Sequence, residues 1–362
     1  MKKRVVIGMS GGVDSSVAAW LLKEQGYEVI GVTMQIWPER NRFVDEQEGG
    51  CCGLSAVDDA KRVAARLEIP HYVMNFRDIF QEKVIDYFIS EYQQCRTPNP
   101  CIACNRYVKW EALLNRSLEI GADYIATGHY SQIKQLENGR YAVCKSVTDA
   151  KDQTYALYNL TQDQLRRTLF PVGAYSKDQI REFAANIGLT VANKPDSQEI
   201  CFIPDNDYAG FIEENQSEEL TKAQKGNFVS TTGEILGPHK GITHYTIGQR
   251  KGLGLSLKEP GFVTEINPDT KEVIIGKGSD VWSHHVNFSN VNAMGASEFT
   301  DNMRVWAKVR YSHKGQMATI HTDGDSYYCE FDEPVRAATP GQAIVFYDGD
   351  VVLGGGTIER NN

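Results

Sequence analysis

The sequence predicts an α/β fold, a parallel sheet doubly wound with helices on both faces, for roughly the first 200 residues, and β-rich structure after them. Three observations carry this reading. Apolar runs alternate with stretches of helical period up to about residue 205. A glycine-rich turn joins the first apolar run to the first helical one. Beyond about residue 278, short β-like runs recur at close spacing between Gly, Pro, Asn and Asp, as in an all-β barrel or sandwich.

In chain order, Val5–Met9 reads as a buried strand and Ser16–Gln25 as the helix after it. Strands follow at Glu28–Gln35, His71–Phe76 and Tyr124–Thr127, with helices at Ala56–Glu68, Ile79–Tyr92 and Tyr107–Ile120 between them. Asn138-Gly139 between alternating runs reads as a two-residue type I′ hairpin turn. Helical patterns return at Asp163–Thr168 and Lys177–Ile187, the second opened by Ser176 and closed by Gly188. A charged, apolar-poor stretch from Gly210 to Asn227 marks the change of texture. No internal repeat is present.

A chain of 362 residues is long enough for two or three domains. Its 41% hydrophobic and 23% charged residues are those of a globular protein, and no apolar run approaches a membrane span. The start, MKKRVVIGMSGG, is too short in its apolar part to read as a signal peptide. A cytoplasmic location is expected, with the eight cysteines largely reduced and more apt for chemistry or metal than for structural bridges. A net charge of −9 argues against broad, non-specific nucleic-acid binding. Basic and aromatic residues do cluster locally, at Met303–Gly315 and Cys104–Trp110, where the plain alternative is a solvated face.

Ser10-Gly11-Gly12-Val13-Asp14-Ser15 follows the first strand directly. Such a turn aims backbone N–H groups and a helix N-terminus at one point, and its glycines remove the Cβ atoms that would keep a phosphate away. Asp14 offers a carboxylate for Mg²⁺. The turn contains no Lys, so it is not the GxxxxGK[ST] loop. It resembles instead the pyrophosphatase loop (PP-loop), SGGxDS, of enzymes that cleave ATP to AMP and pyrophosphate. An ordinary tight βα turn is the bland alternative. Met34 and Gly128-His129 fall at other strand ends, where ligands of parallel sheets bind.

Thiols form the second constellation. Thr97-Pro98-Asn99-Pro100-Cys101-Ile102-Ala103-Cys104-Asn105 is stiffened by its prolines and leads into a helix. Cys104 is expected at or near that helix's N-terminus, where the dipole favours a thiolate by about 0.3–1 kcal/mol. Cys201 lies in a second Pro-bounded loop, Pro195–Pro204. Cys95, Cys144 and Cys329 sit in apolar segments and read as inert buried residues. Cys51-Cys52 is undecided.

GMSGGVDS, TPNPxxxCN, TGHY, KDQTYAL, PDSQEICFIPDNDY and YTIGQRKGLG occur in this order. Together they resemble the bacterial tRNA-uridine 2-sulfurtransferase (2-thiouridylase) family over nearly the whole chain. The resemblance implies a PP-loop ATPase domain (1–205), a small central domain (206–277) and a C-terminal, tRNA-contacting β-barrel (278–362). It implies ATP and Mg²⁺ as cofactors, and the wobble uridine of tRNAs for Lys, Glu and Gln as substrate. A cysteine desulfurase or a sulfur-relay carrier would supply the sulfur, and a monomer is the default. Residue by residue, Gly8, Met9, Ser10, Gly11, Gly12, Val13, Asp14, Ser15, Met34 and Gly128 match ATP contacts. Asn99, Pro100 and Cys101 match the loop facing the target base. His129, Lys151, Asp152, Gln153, Arg310, Tyr311 and Gln342 match tRNA contacts, with a structural turn histidine as the alternative for His129. Cys201 matches the persulfide carrier and Cys104 the second catalytic thiol: either the terminal sulfur attacks C2 directly, or Cys104 reduces the persulfide to free sulfide and forms a Cys104–Cys201 disulfide.

One departure is Cys101, where the family commonly has Asp. It creates Cys101-x-x-Cys104, and with Cys201 a set of three thiolates that would suit a [4Fe–4S] cluster, zinc or a redox pair. Two other functions compete: another PP-loop adenylating ligase, which has no use for the two loop cysteines, and a non-enzymatic RNA- or metal-binding module.

Overall fold

The computed structural model describes residues 2–37, 54–192, 194, 200–324 and 326–360. Cys51, Cys52 and the segment 195–199 ahead of Cys201 lie outside the described residues. The chain divides into two compact units. The first comprises 1–84, 101–206 and 350–353, the second 85–100, 207–349 and 354–362. The segment 85–100, which ends in Asn99 and Pro100, thus groups with the C-terminal half rather than with the strands and helices around it in sequence.

In the first unit, β1 (Arg4–Gly8), β2 (Glu28–Gln35), β3 (His71–Asn75), β4 (Tyr124–Ala126) and β7 (Thr168–Leu169) form a parallel sheet in the order β3-β2-β1-β4-β7. Val5, Val6 and Ile7 of the central strand are fully buried, as a strand covered on both faces requires. Winding runs outward from β1 to β3 and then returns to β4 on the other side of β1. The carboxyl ends of β1 and β4 are therefore neighbours at a topological switch point. Helix α1 (Val13–Glu24) starts earlier than the expected Ser16, because Gly12 already serves as its N-cap and Val13 packs inward with Val17, Ala18 and Leu21. Helix α2 (Leu54–Arg66) matches its expected position.

The helix expected from Tyr107 begins at Pro100 and runs to Glu119, with wide π-type turns over Cys104–Leu113. Proline suits a first helical position, since its missing N–H has no partner there anyway. A hairpin of β5 (Ser131–Gln135) and β6 (Tyr141–Lys145) forms where Asn138-Gly139 predicted one, but by a different turn. Gly139 N–H donates to Leu136 and Leu136 N–H to Arg140, and only Gly139 takes a positive φ, of 80°. That is a three-residue loop with a left-handed glycine, not type I′, which needs φ > 0 at both central residues.

In the second unit, β8 (Asn227–Ser230), β9 (Ile235–Pro238), β10 (Phe262–Ile266) and β11 (Val273–Gly276) form a sheet in the order β10-β11-β8-β9. Phe228, Tyr245, Val263 and Val273 make its core, and Cys95 joins them. The charged stretch before it folds into two short helices, Tyr208–Glu214 and Glu218–Ala223, N-capped by Asp207 and Ser217. The last strands are β12 (Trp282–Ala293), β13 (Met303–Lys308), β14 (Gln316–Asp323), β15 (Ser326–Arg336), β16 (Ala343–Asp348) and β17 (Val351–Ile358). They pair in the order β12-β15-β14-β13-β16-β17, and β17 pairs back to β12. The sheet closes on itself, which removes its edges. Of the two all-β forms the sequence left open, the barrel is correct. Among the described residues no helix is long and apolar enough to cross a membrane.

Candidate active site

The glycine turn after β1 is built by exclusion. Gly11 holds φ +68°, and a Cβ there would lie 2.4 Å from the Ala56 carbonyl oxygen. Gly128, after β4, sits on the start of α1: an added Cβ would lie 2.7 Å from Ser15 N and 2.9 Å from Asp14 C. The TGHY glycine is thus required by close packing of two backbones at the switch point. Gly12 is different, since only Ser10 Oγ, at 3.5 Å, would meet its Cβ. Ser15 Oγ donates to Gly12 O at 3.2 Å and accepts from Ser10 N–H at 3.2 Å, which curls the turn over the helix start. Ser16 Oγ donates to the same Gly12 oxygen at 2.8 Å. Met9 is anchored by its N–H to Val32 O and by Thr33 Oγ1 donating to its carbonyl. Gly8 is the last residue of β1, Val13 is buried in α1, and Met34 is part-exposed near the end of β2.

Asp14, expected to hold Mg²⁺, is engaged otherwise. Its Oδ1 accepts from Tyr130 Oη at 2.7 Å and from Lys177 Nζ at 2.7 Å, and its Oδ2 accepts from Lys177 Nζ at 2.8 Å. A lysine ammonium stands where a metal ion was expected, so the carboxylate as held does not fit a resident Mg²⁺ ligand. Lys194 Nζ lies 2.8 Å from Asp59 Oδ2 and 3.4 Å from Gly11 O. Two lysines from the 176–194 region therefore reach the turn that itself contains none. Burial opposes ionisation of Asp59, but Lys194 and Arg62 outweigh it and hold its carboxyl below the ordinary range. Sequence reasoning missed both lysines and Tyr130. One signal was available: Lys177 is the first residue of a Ser-capped helix, where the dipole disfavours a cation unless an anion faces it.

Cys104 lies one turn inside its helix rather than at the end, because the helix starts at Pro100; it is half-buried, and Cys101, nearer the end, is exposed. Asn105 and Trp110 fasten that helix: Asn105 Nδ2 donates to Ala156 O at 2.9 Å and Trp110 Nε1 to Thr168 Oγ1 at 2.7 Å. Cys201 is half-buried in the same unit. Its neighbour Phe202 meets Phe80 edge-on at 5.8 Å, and the Arg77–Phe80 turn packs against Cys104–Leu113. Among the described residues no three His, Cys, Asp or Glu side chains come together as a metal-holding group. Cys95, Cys144 and Cys329 are buried as expected, and burial pushes their thiols up, that of Cys95 to about 11.

The residues matched to tRNA contacts have local partners as well. His129 is bonded to Thr127 Oγ1 at 2.6 Å and packs between Trp110 and Phe170. Enclosure, and Lys109 beside it, push its pKa well below the usual value, so the ring is neutral at pH 7. Gln153 bonds both backbone groups of Tyr130, and Asp152 accepts from Thr154 at the start of a short helix; Lys151 ends the turn before it. In the second unit, Arg310 Nη1 donates to Arg336 O at 2.7 Å and Tyr311 is 50% exposed. Asn99 is half-buried, Pro100 is buried, and Gln342 Nε2 donates to Thr97 O at 2.7 Å.

Residues 3–205 match a family model described as the tRNA methyl transferase HUP domain. Residues 215–277 match the tRNA methyl transferase PRC-barrel domain, and 283–358 the aminomethyltransferase beta-barrel domain. Full-length relatives carry a different description. The chain is 64% identical to the tRNA-specific 2-thiouridylase MnmA of Lachnoclostridium phytofermentans, covering 98% of this chain and 99% of that one. It is 58% identical to MnmA 2 of Caldanaerobacter subterraneus subsp. tengcongensis, covering 99% and 98%. Identity to MnmA of Clostridioides difficile is 54%, covering 100% and 99%. Among solved structures, a 4-thiouridine synthetase–RNA complex with bound ATP aligns at a TM-score of 0.34 and 18% identity, covering 59% of this chain and 50% of that one, a likeness too slight to carry an argument. End-to-end identity above one half leaves no room for a partial or borrowed likeness: this chain belongs to the tRNA-specific 2-thiouridylase family.

Proposed function

We propose that the protein is an ATP-dependent tRNA-uridine 2-sulfurtransferase acting on the wobble uridine of tRNAs for Lys, Glu and Gln. The C2 oxygen of uridine is a poor leaving group and must be activated first. Its attack on the ATP α-phosphorus breaks the bond to the β-phosphate and releases pyrophosphate, leaving an adenylated base. The N–H groups of the SGGVDS turn face the departing polyphosphate, and Lys177 and Lys194 supply positive charge beside it. Mg²⁺ arriving with ATP would add charge neutralisation, and no protein ligand is assigned to it.

Sulfur then enters from a persulfide on Cys201, loaded by a cysteine desulfurase or a relay carrier. Either its terminal sulfur attacks C2 and Cys104 closes a disulfide with Cys201, or Cys104 attacks the inner sulfur first and frees hydrosulfide as the nucleophile. In both routes the terminal sulfur ends in the base, AMP leaves with the old oxygen, and Cys104–Cys201 is reduced again by external thiol. An anticodon base is already outside a duplex, so presenting it costs at most a few kcal/mol. Arg310 with the exposed Tyr311 suits phosphate contact and base stacking.

The observation that carries this reading is the seating of Gly128 on the start of α1, which joins the two nucleotide motifs into one anion-binding corner in the unit that also holds Cys104 and Cys201. The test is mass spectrometry of tRNA nucleosides after incubation with ATP and a persulfide donor, with metal content measured on the same sample. ATP-dependent 2-thiouridine at the wobble position is the expected result. Pyrophosphate release without thiolation would instead favour another adenylating ligase.

A further inference from the structure

The loop that carries Asn99 and Pro100 is fastened at its first residues by the second unit's own strands. Arg96, whose side chain is 16% exposed, lies between two carboxylates. Its Nε donates to Glu91 Oε2 at 2.9 Å, and Nη1 and Nη2 donate to the two oxygens of Glu359 at 2.5 and 3.3 Å. Glu359 also accepts from Ser289 Oγ of β12 at 2.5 Å. Burial opposes ionisation of Glu359, yet Arg96 and Ser289 outweigh it and keep the carboxyl below its ordinary range. Thr97 is then held on both sides of its backbone: its N–H donates to Pro340 O at 2.7 Å and its carbonyl accepts from Gln342 Nε2 at 2.7 Å. The Gly341-Gln342 turn is in turn bonded to Ile358 at the end of β17. The two backbones approach closely: a side chain at Gly341 (φ +90°) would lie 2.9 Å from Thr97 N. Just upstream, Cys95 adopts φ +57°, a left-handed conformation that a side chain takes at a cost and that persists where its surroundings over-determine it.

We infer that Arg96 and Gln342 are positioning residues that hold the Thr97-Pro98-Asn99-Pro100 loop in register for the target uridine, Gln342 acting through Thr97 rather than through RNA. The inference rests on the proposed thiolation, in which this loop faces the base. Once Thr97 is fixed, the two prolines restrict the backbone after it, so its orientation passes on to Asn99. Two part-buried carboxylates around one guanidinium fix that orientation better than a single flexible contact, since the planar fork bonds them in a defined geometry.

The experiment compares wild type, Gln342→Ala, Arg96→Ala and Arg96→Lys in full-length protein. Its readouts are tRNA affinity, kcat and KM for pyrophosphate release, kcat for 2-thiouridine formation and the thermal midpoint. Positioning predicts that Gln342→Ala and Arg96→Ala change tRNA affinity less than about threefold while kcat for both steps falls tenfold or more at saturating tRNA, with Arg96→Lys intermediate. If tRNA affinity falls and kcat is unchanged, Gln342 grips RNA and the inference is wrong. Unchanged kinetics in folded variants would overturn it equally. If Arg96→Ala does not fold, Gln342→Ala, which removes one neutral hydrogen bond, decides alone. An inactive wild type would instead sink the functional proposal, which separates the two failures.

Discussion

Asp14 and Lys177, 163 positions apart in the chain, form a two-oxygen ion pair, with Lys177 Nζ 2.7 and 2.8 Å from the carboxylate oxygens. Tyr130 completes the contact from the strand-end motif after β4. The pair joins the first turn of α1 to the first residue of a second capped helix. It brings to the anion-binding turn the cation that the turn's own sequence lacks.

Replacing that cation should therefore damage nucleotide chemistry. Lys177→Met is expected to lower ATP- and tRNA-dependent pyrophosphate release by roughly 100- to 1000-fold, the range for losing a charge-stabilising donor. Asp14→Ala should abolish it, and Lys177→Arg should retain part. A pyrophosphate-coupled assay reads all three, and normal release by Lys177→Met would reduce the ion pair to a structural contact.

Two glycines should separate packing from ligand approach. Gly128→Ala forces a Cβ against backbone atoms of α1, so a loss of about 1–3 kcal/mol in stability is expected along with weaker ATP binding. Gly12→Ala has room and an ordinary φ of −96°, so its thermal midpoint should hardly move while its KM for ATP rises. Equal destabilisation of both variants would contradict the distinction.

The thiols should divide by role. Cys104→Ser and Cys201→Ser are expected to abolish 2-thiouridine while leaving pyrophosphate release in place. On the persulfide route Cys101→Ser should keep thiolation, because that route uses only the thiols of Cys104 and Cys201 and Cys101 is exposed. Loss of activity in Cys101→Ser, together with iron in the wild-type preparation, would restore the cluster.

Acid should weaken the second unit through His313. Burial first, and then Arg310 and Lys308, lower its pKa from 6.5 to about 4. The unfolded chain then takes up a proton below pH 6.5 that the folded state refuses until about pH 4. Stability is fully present above pH 6.5 and falls as pH drops through that window. His313→Gln should flatten this limb of a thermal-midpoint-against-pH curve, and an unchanged limb would show that His313 does not cause it. His129 shifts in the same direction in the first unit.

Much of the architecture was legible because it rests on local pattern. Uninterrupted Val5-Val6-Ile7 reads as a buried strand, and it forms the central strand, covered on both faces. Ser176 and Gly188 bracket a helix that forms between them. Boundaries set by several competing local signals were less legible. The helix expected from Tyr107 starts at Pro100, and Asn138-Gly139 turns through a three-residue loop.

What the sequence determined by itself was the element order and the glycine turn, since each depends on residues within a few positions of one another. Tertiary structure alone decided that Lys177 and Lys194 serve a turn far upstream, that Gly128 packs on α1, and that Gln342 spends its amide on Thr97. Those pairings follow from which strand ends lie side by side and how the barrel closes. Chain connectivity encodes neither until the apolar faces are buried and long-range partners are held within hydrogen-bonding reach.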